Sequence, residues 1–223
     1  MTFTAGQASR GGPSLIHGDL CEEARWLGSL VVRVAPDPEV LALQALMDFT
    51  DARRPGRLDA DGGVLLMEHQ DRSRWDRALI RRGQEHLAAA MRQRRLGSFQ
   101  VQAVLAACHT LAPTWEATDW TAIAHWYDVL LRFDDRPVTR LNRAVALGFT
   151  GHPEQAATEL TALTDTLADS PYLWTAWADI HTRLGHRERA HEAWTRAEAC
   201  GLNADEAAAA RARLNLTAPD RSS

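Results

Sequence analysis

From residue 14 onward, apolar residues recur every three or four positions with polar residues between them, the rhythm of amphipathic helices. Helix-breaking residues interrupt it at Pro36 and Pro38, Pro55-Gly56, Gly97, Pro113, Pro137, Gly151, Pro171, Gly185 and Gly201. The segments so marked run about ten to twenty residues, ordinary helix lengths. One stretch has a different pattern: RLDADGGVLLM (57–67) sets Asp61-Gly62-Gly63 between two short apolar runs and predicts a small β-hairpin or an ordered loop. The pattern as a whole predicts an all-α chain of stacked helical hairpins. Residues 1–13 read as a linker, 14–216 as one helical domain and 217–223 as a disordered tail.

An internal repeat refines this picture. Laying RLNRAVALGFTGHPEQAATELTAL (140–163) over WTAWADIHTRLGHRERAHEAWTRA (174–197) pairs Ala144 with Ala178, Gly151 with Gly185, Ala156 with Ala190 and Leu160 with Trp194. The shift is 34 residues, the tetratricopeptide period. Small residues let two helices approach, a glycine closes the turn between them, and a bulky side chain fills the gap to the next hairpin. Repeats are clearest over 137–200, and Trp174 and Trp194 are expected in the core. Two repeats do not stand alone, so the earlier helices are expected to stack on them as a tetratricopeptide-like superhelix.

Charge changes the picture at one place. The chain has a net charge of −4 and contains arginine but no lysine, yet residues 72–95 carry eight arginines against two acids. Within this segment QDRSRWD (70–76) reads as a helix start, Ser73 and Asp76 forming a capping box. Trp75, Leu79, Ile80, Gly83, Leu87 and Ala90 then mark a buried stripe. Arg74, Arg77, Arg81, Arg92 and Arg95 fall in one narrow arc, which predicts a solvent-facing row suited to docking an acidic partner. An acidic chain with one basic segment points to a protein surface more than to a general nucleic-acid binder.

The remaining chemistry is mostly excluded. Without lysine there is no Walker loop and no Schiff base. Cys21, Cys108 and Cys200 are far apart and unpaired by any C-x-x-C, so they read as small, reduced, mostly buried residues. Asp59-Ala60-Asp61-Gly62 lacks the glutamate of a calcium loop at position 70, where Gln70 stands. His181, His186 and His191 scatter around a helix, and neighbours Cys108 and His109 point apart. No catalytic residue, metal or cofactor is expected, and the chain is not expected to be an enzyme. No run approaches the ~18 apolar residues of a membrane span and no signal region opens the chain, so a cytoplasmic location is expected.

Longer motifs carry a resemblance. GPSLIHGDLCEEARWL, PEVLALQALMDFTDARRPGRLDADGGVLLMEHQDRSRWDRALI, FQVQAVLAACHTLAPTWEATDWTAIAHWYDVLLRF and PVTRLNRAVALG occur here in that order. Together they resemble the tetratricopeptide-like C-terminal extension of a group of extracytoplasmic-function sigma factors, over nearly the whole chain. Members of that group reach the extension through a segment like FNEGYSAS, where this chain has FTAGQAS at Phe3 to Ser9. The sequence begins at that linker, so the resemblance implies the regulatory half of such a factor, without the regions that read promoters. Direct specific DNA binding and membrane association are therefore not expected. The implied partners are the sigma regions or RNA polymerase, or a peptide or helix held in a concave groove. That groove would be lined by Tyr172, Thr175, Asp179, Thr182 and Arg183. Asp71, Arg72, Arg74, Asp76, Arg77, Arg81, Arg140, Asn142 and Arg143 are the implied contact or positioning residues. The alternatives are a tetratricopeptide-like scaffold unrelated to transcription and a truncated sigma-factor product.

Overall fold

The computed structural model describes residues 14–59 and 65–202, with side chains from Leu20 onward. Its helices are α1 (Ser14–Val34), α2 (Pro38–Ala52), α3 (Arg77–Arg92), α4 (Ser98–Leu111), α5 (Trp120–Leu130), α6 (Pro137–Phe149), α7 (Pro153–Leu163), α8 (Pro171–Arg183) and α9 (Arg187–Ala199). Short 3-10 turns lie at Arg54–Gly56, Met67–His69 and Arg72–Arg74. No strand occurs among the described residues, and the fold is an all-α helical-repeat type. The linker 1–13, the tail 217–223 and the tip of the expected hairpin, 60–64, lie outside the described residues. At the base of that hairpin the Leu65 amide donates to the Arg57 carbonyl at 2.7 Å.

One domain is expected over 14–216, but the helices gather into two compact units, divided between Thr118 and Asp119. The division follows a non-helical stretch opened by Pro113, whose ring removes a backbone donor and ends α4.

In the first unit α2 is central and packs against α1, α3 and α4. Asp37 caps it by accepting from the Glu39 amide, and Pro38 supplies a preset φ at its first position. Its apolar face, Leu41, Ala42, Ala45, Phe49 and Ala52, forms a core with Trp75, Leu79, Ile80, Ala90, Ala103 and Ala107. The expected α3 stripe is therefore inward, with Leu87 at its edge. Gly83 lies so close to Phe49 that a Cβ there would stand 2.8 Å from the ring, which fixes how near α3 approaches α2. Glu39 reaches across to α4, where its carboxylate accepts from the Phe99 and Gln100 amides at 2.9 and 3.1 Å. A side chain of one helix thus caps the start of another.

The second unit realises the 34-residue period atom by atom. Helices α6 and α8 begin at Pro137 and Pro171, and α7 and α9 at Pro153 and Arg187, each pair 34 apart. The His152 amide donates to the Leu147 carbonyl, and 34 residues on the His186 amide donates to the His181 carbonyl. Gly151 and Gly185 adopt φ of +86° and +75° between them, the left-handed turn that closes each hairpin. Ala144, Ala178, Ala156 and Ala190 are fully buried, and Leu160, Trp174 and Trp194 are buried with them. At Gly148 a side chain would run into Ile180 Cδ1, so α6 and α8 touch there.

Candidate docking surfaces and the charges that hold them

The QDRSRWD stretch builds two caps in series. The Asp71 carboxylate accepts from the Ser73 amide and caps the 3-10 turn, and Asp76 accepts from the Ala78 and Leu79 amides and caps α3. This corrects the expected capping box: Ser73 sits inside the turn, because α3 begins only at Arg77. The Asp76 amide also donates to the Ala52 carbonyl at 2.8 Å, fastening the start of α3 to the end of α2.

Arg72 is half-buried and braces the same turn from beneath. Its guanidinium donates to the His109 and Ala112 carbonyls at 2.6 and 2.8 Å and lies 4.7 Å from the centre of the Trp75 ring. The end of α4 thereby gains donors for its last carbonyls. Burial, with Arg53 and Arg72 nearby, pushes His109 down to about 4. Arg53 itself is lowered to about 10 by burial, then by Arg57 and Arg72.

The arginine row is exposed, but the helix does not carry all of it. Arg77, Arg81 and Arg92 stand on α3, whereas Arg74 lies on the preceding turn and Arg95 beyond the helix end. Arg74 donates to the Leu58 carbonyl, Arg77 to the Arg72 carbonyl at 3.3 Å, and Arg95 pairs with Asp37. Arg81 and Arg92 complete an exposed basic face.

Sequence reasoning missed the most elaborate charge cluster in the first unit. Asp48 is fully buried on α2 and faces His86 at 3.0 Å, Arg82 at 3.6 Å and Arg25 at 3.9 Å. One turn on, Asp51 pairs with Arg25 at 2.9 Å and Arg54 at 3.0 Å, and Arg54 also reaches Glu22. The cluster joins α1, α2, α3 and the turn after α2. Burial raises the Asp51 carboxyl despite its two guanidinium partners. The available signal was an Asp48/Asp51 pair at i, i+3 in an apolar helix ending in Arg-Arg, which places two acids on an inward face.

In the second unit most of the implied contact residues are engaged within the chain. Arg140 forms a two-bond pair with Asp135 at 2.6 and 2.7 Å, and Arg143 bridges Asp128 at 2.6 Å and Glu159. Asn142 hydrogen-bonds Tyr127, whose phenol burial pushes up to about 12. Tyr172, Asp179 and Arg183 share one face of α8; Tyr172 is exposed, Asp179 half-buried, and the Arg183 guanidinium lies 3.9 Å from the Phe149 ring centre. Phe149 in turn stacks on Trp120, with centroids 4.0 Å apart.

A cleft of about 650 Å³ opens on the opposite face of α8, between α7 and α9. Trp174, Trp177, His181 and Leu184 form its floor, with Glu154, Glu192, Arg189 and Arg196 on its rim. His181 stacks on Trp177 and is held below its ordinary range by burial, then by His186 and Arg189. The implied groove residues do not line it. Among the described residues no group of three or more His, Cys, Asp or Glu is placed to hold a metal. No described helix is long and apolar enough to cross a membrane.

Comparison with known proteins adds relatives without established roles. Residues 1–91 match a family of unknown function, DUF6596. Along 221 residues, 99% of its length, the chain is 37% identical to an uncharacterized protein of Rhizobium meliloti (strain 1021). The match takes in 52% of that protein, so the chain spans about half the length of this curated relative. No solved structure matches the chain.

Proposed function

We propose that the chain is a protein-interaction module that regulates transcription as the accessory half of an extracytoplasmic-function sigma factor, contacting sigma regions or RNA polymerase in the cytoplasm. The observation that carries this reading is the basic face of α3. Exposed Arg77, Arg81 and Arg92 stand on a helix whose start is fixed by Asp76 and by the Arg72 brace, in a chain that is otherwise acidic. A rigid helix presenting one sign of charge steers and orients an acidic protein surface. The resemblance carried by the ordered motifs supports sigma regions or RNA polymerase as the partner.

The test is the double reversal Arg77→Glu/Arg81→Glu. Exposed charges contribute under ~1 kcal/mol to stability, so the circular dichroism spectrum should be unchanged. Co-purification with the sigma regions or RNA polymerase should fall at least ~10-fold, because like charges then meet at the contact. Equal recovery from the reversed variant would return this face to the solvated surface.

A further inference from the structure

Helix α1 shows two unlike faces. One is fully used: Cys21 is buried, Arg25 enters the Asp48–Asp51 cluster, a Cβ on Gly28 would collide with Gln44 and Met47, and Val32 packs on the core. The other face is apolar and bare. Leu20, Leu27, Val31 and Val34 are 46%, 49%, 48% and 87% exposed, and half-buried Ala24 lies among them. Trp26, at 59% exposed, lies about 80° beyond the Val34 edge of the row.

The spacing of this row is specific. Leu20, Ala24, Leu27, Val31 and Val34 follow one another by four, three, four and three residues, which keeps all five within an arc of about 80°. That is a heptad seam, with Ala24 and Val31 at the a positions and Leu20, Leu27 and Val34 at d. A β-branched residue at a with leucine at d favours two parallel strands. No charge interrupts the seam; Glu23 stands at its edge.

We infer that the α1 seam is a homodimer interface, in which two copies of this chain pair their α1 helices in parallel about a two-fold axis. An isologous contact sets each seam residue against its own copy, so only apolar groups meet. Each of the four exposed seam side chains leaves roughly 100 Å² in water, so two copies bury on the order of 800 Å² along the seam, the size of a weak, reversible interface. The helix is about 31 Å long, short for a free coiled coil. Packing on α2 has already ordered it, which removes that cost from association. This inference does not depend on the transcriptional reading.

Sedimentation velocity of the full chain between about 1 and 100 µM, around a micromolar Kd, tests it. Wild type should sediment as a dimer. Leu27→Glu/Val31→Glu should be monomeric throughout, its dissociation constant raised at least ~100-fold, with unchanged helical content. Should that variant fold poorly, the uncharged Leu20→Gln/Val34→Gln reads the same seam and should also shift to monomer. A wild-type chain that stays monomeric at the highest concentration would overturn the inference, whether or not α1 then binds another protein. A dimer that persists in a folded seam variant would overturn it too.

Discussion

The two units reach the same all-α architecture by different means. The second is periodic: proline starts, glycine turns and buried alanines recur at 34 residues. The first has no such repeat. Its helices are joined by single long-range polar contacts, Asp48 and Asp51 to arginines and His86, Glu39 to the start of α4, and Arg72 to its end. A periodic unit distributes stability over equivalent apolar contacts. An irregular one adds to its apolar core a few buried charges, each of which is costly to leave alone.

The sharpest way to break this comparison is to remove one keystone from each unit. Trp174 is buried, its indole donates to the Ala168 carbonyl at 2.7 Å, and Arg196 stacks 3.9 Å from its ring centre. Trp174→Ala should cost about 3–5 kcal/mol by emptying that site. Thermal melts and hydrogen exchange should place the loss in α7 to α9. An unchanged melting midpoint would mean that the repeat frame does not set the core.

In the first unit Asp51→Ala should cost about 3 kcal/mol, because Arg25 and Arg54 are left without their buried acceptor. Adding Arg25→Met to the same chain should recover much of this loss, since an apolar side chain of similar length no longer needs a counter-charge. Urea denaturation of wild type, the single variant and the double variant measures it. If the double variant is as unstable as the single one, the cluster does not act through paired charge.

The smallest effect sharpens the contrast through pH. His109 is held near 4 in the folded chain, against an ordinary 6.5, so below 6.5 the unfolded chain takes up a proton that the folded chain refuses. Its contribution is therefore intact above about 6.5 and is lost as pH falls towards 4. The loss is on the order of 2 kcal/mol across that window, allowing for partial exposure of the ring. His109→Gln should flatten the fall in denaturation midpoint over the same range, and an identical slope in the variant would remove His109 as its source.

What could be read in the sequence follows the same divide. The 34-residue offset located α6 to α9, their glycine turns and the buried Trp174 and Trp194, because equivalent positions repeat and vote together. The α3 stripe was readable for a related reason: Leu79, Ile80, Gly83 and Ala90 obey one helical period. The Asp48–Asp51 cluster was not, since Arg25, Arg82 and His86 are separated from it by more than twenty residues and no local rule pairs them. Among the candidate contact residues, Arg72, Arg140 and Arg143 bond within the chain, to groups that no local rule singles out.

The sequence by itself determined the helical class, the break points, the repeat and the basic segment, all of which depend on spacing along one chain. Only the tertiary structure decided which charges are left to solvent and which face each other, where Ser73 gives way to Asp76 as the cap, and which side of α1 and α8 is left open. Those outcomes depend on distances between segments remote in sequence, and hydrophobic periodicity specifies that a face is buried without specifying what lies across from it.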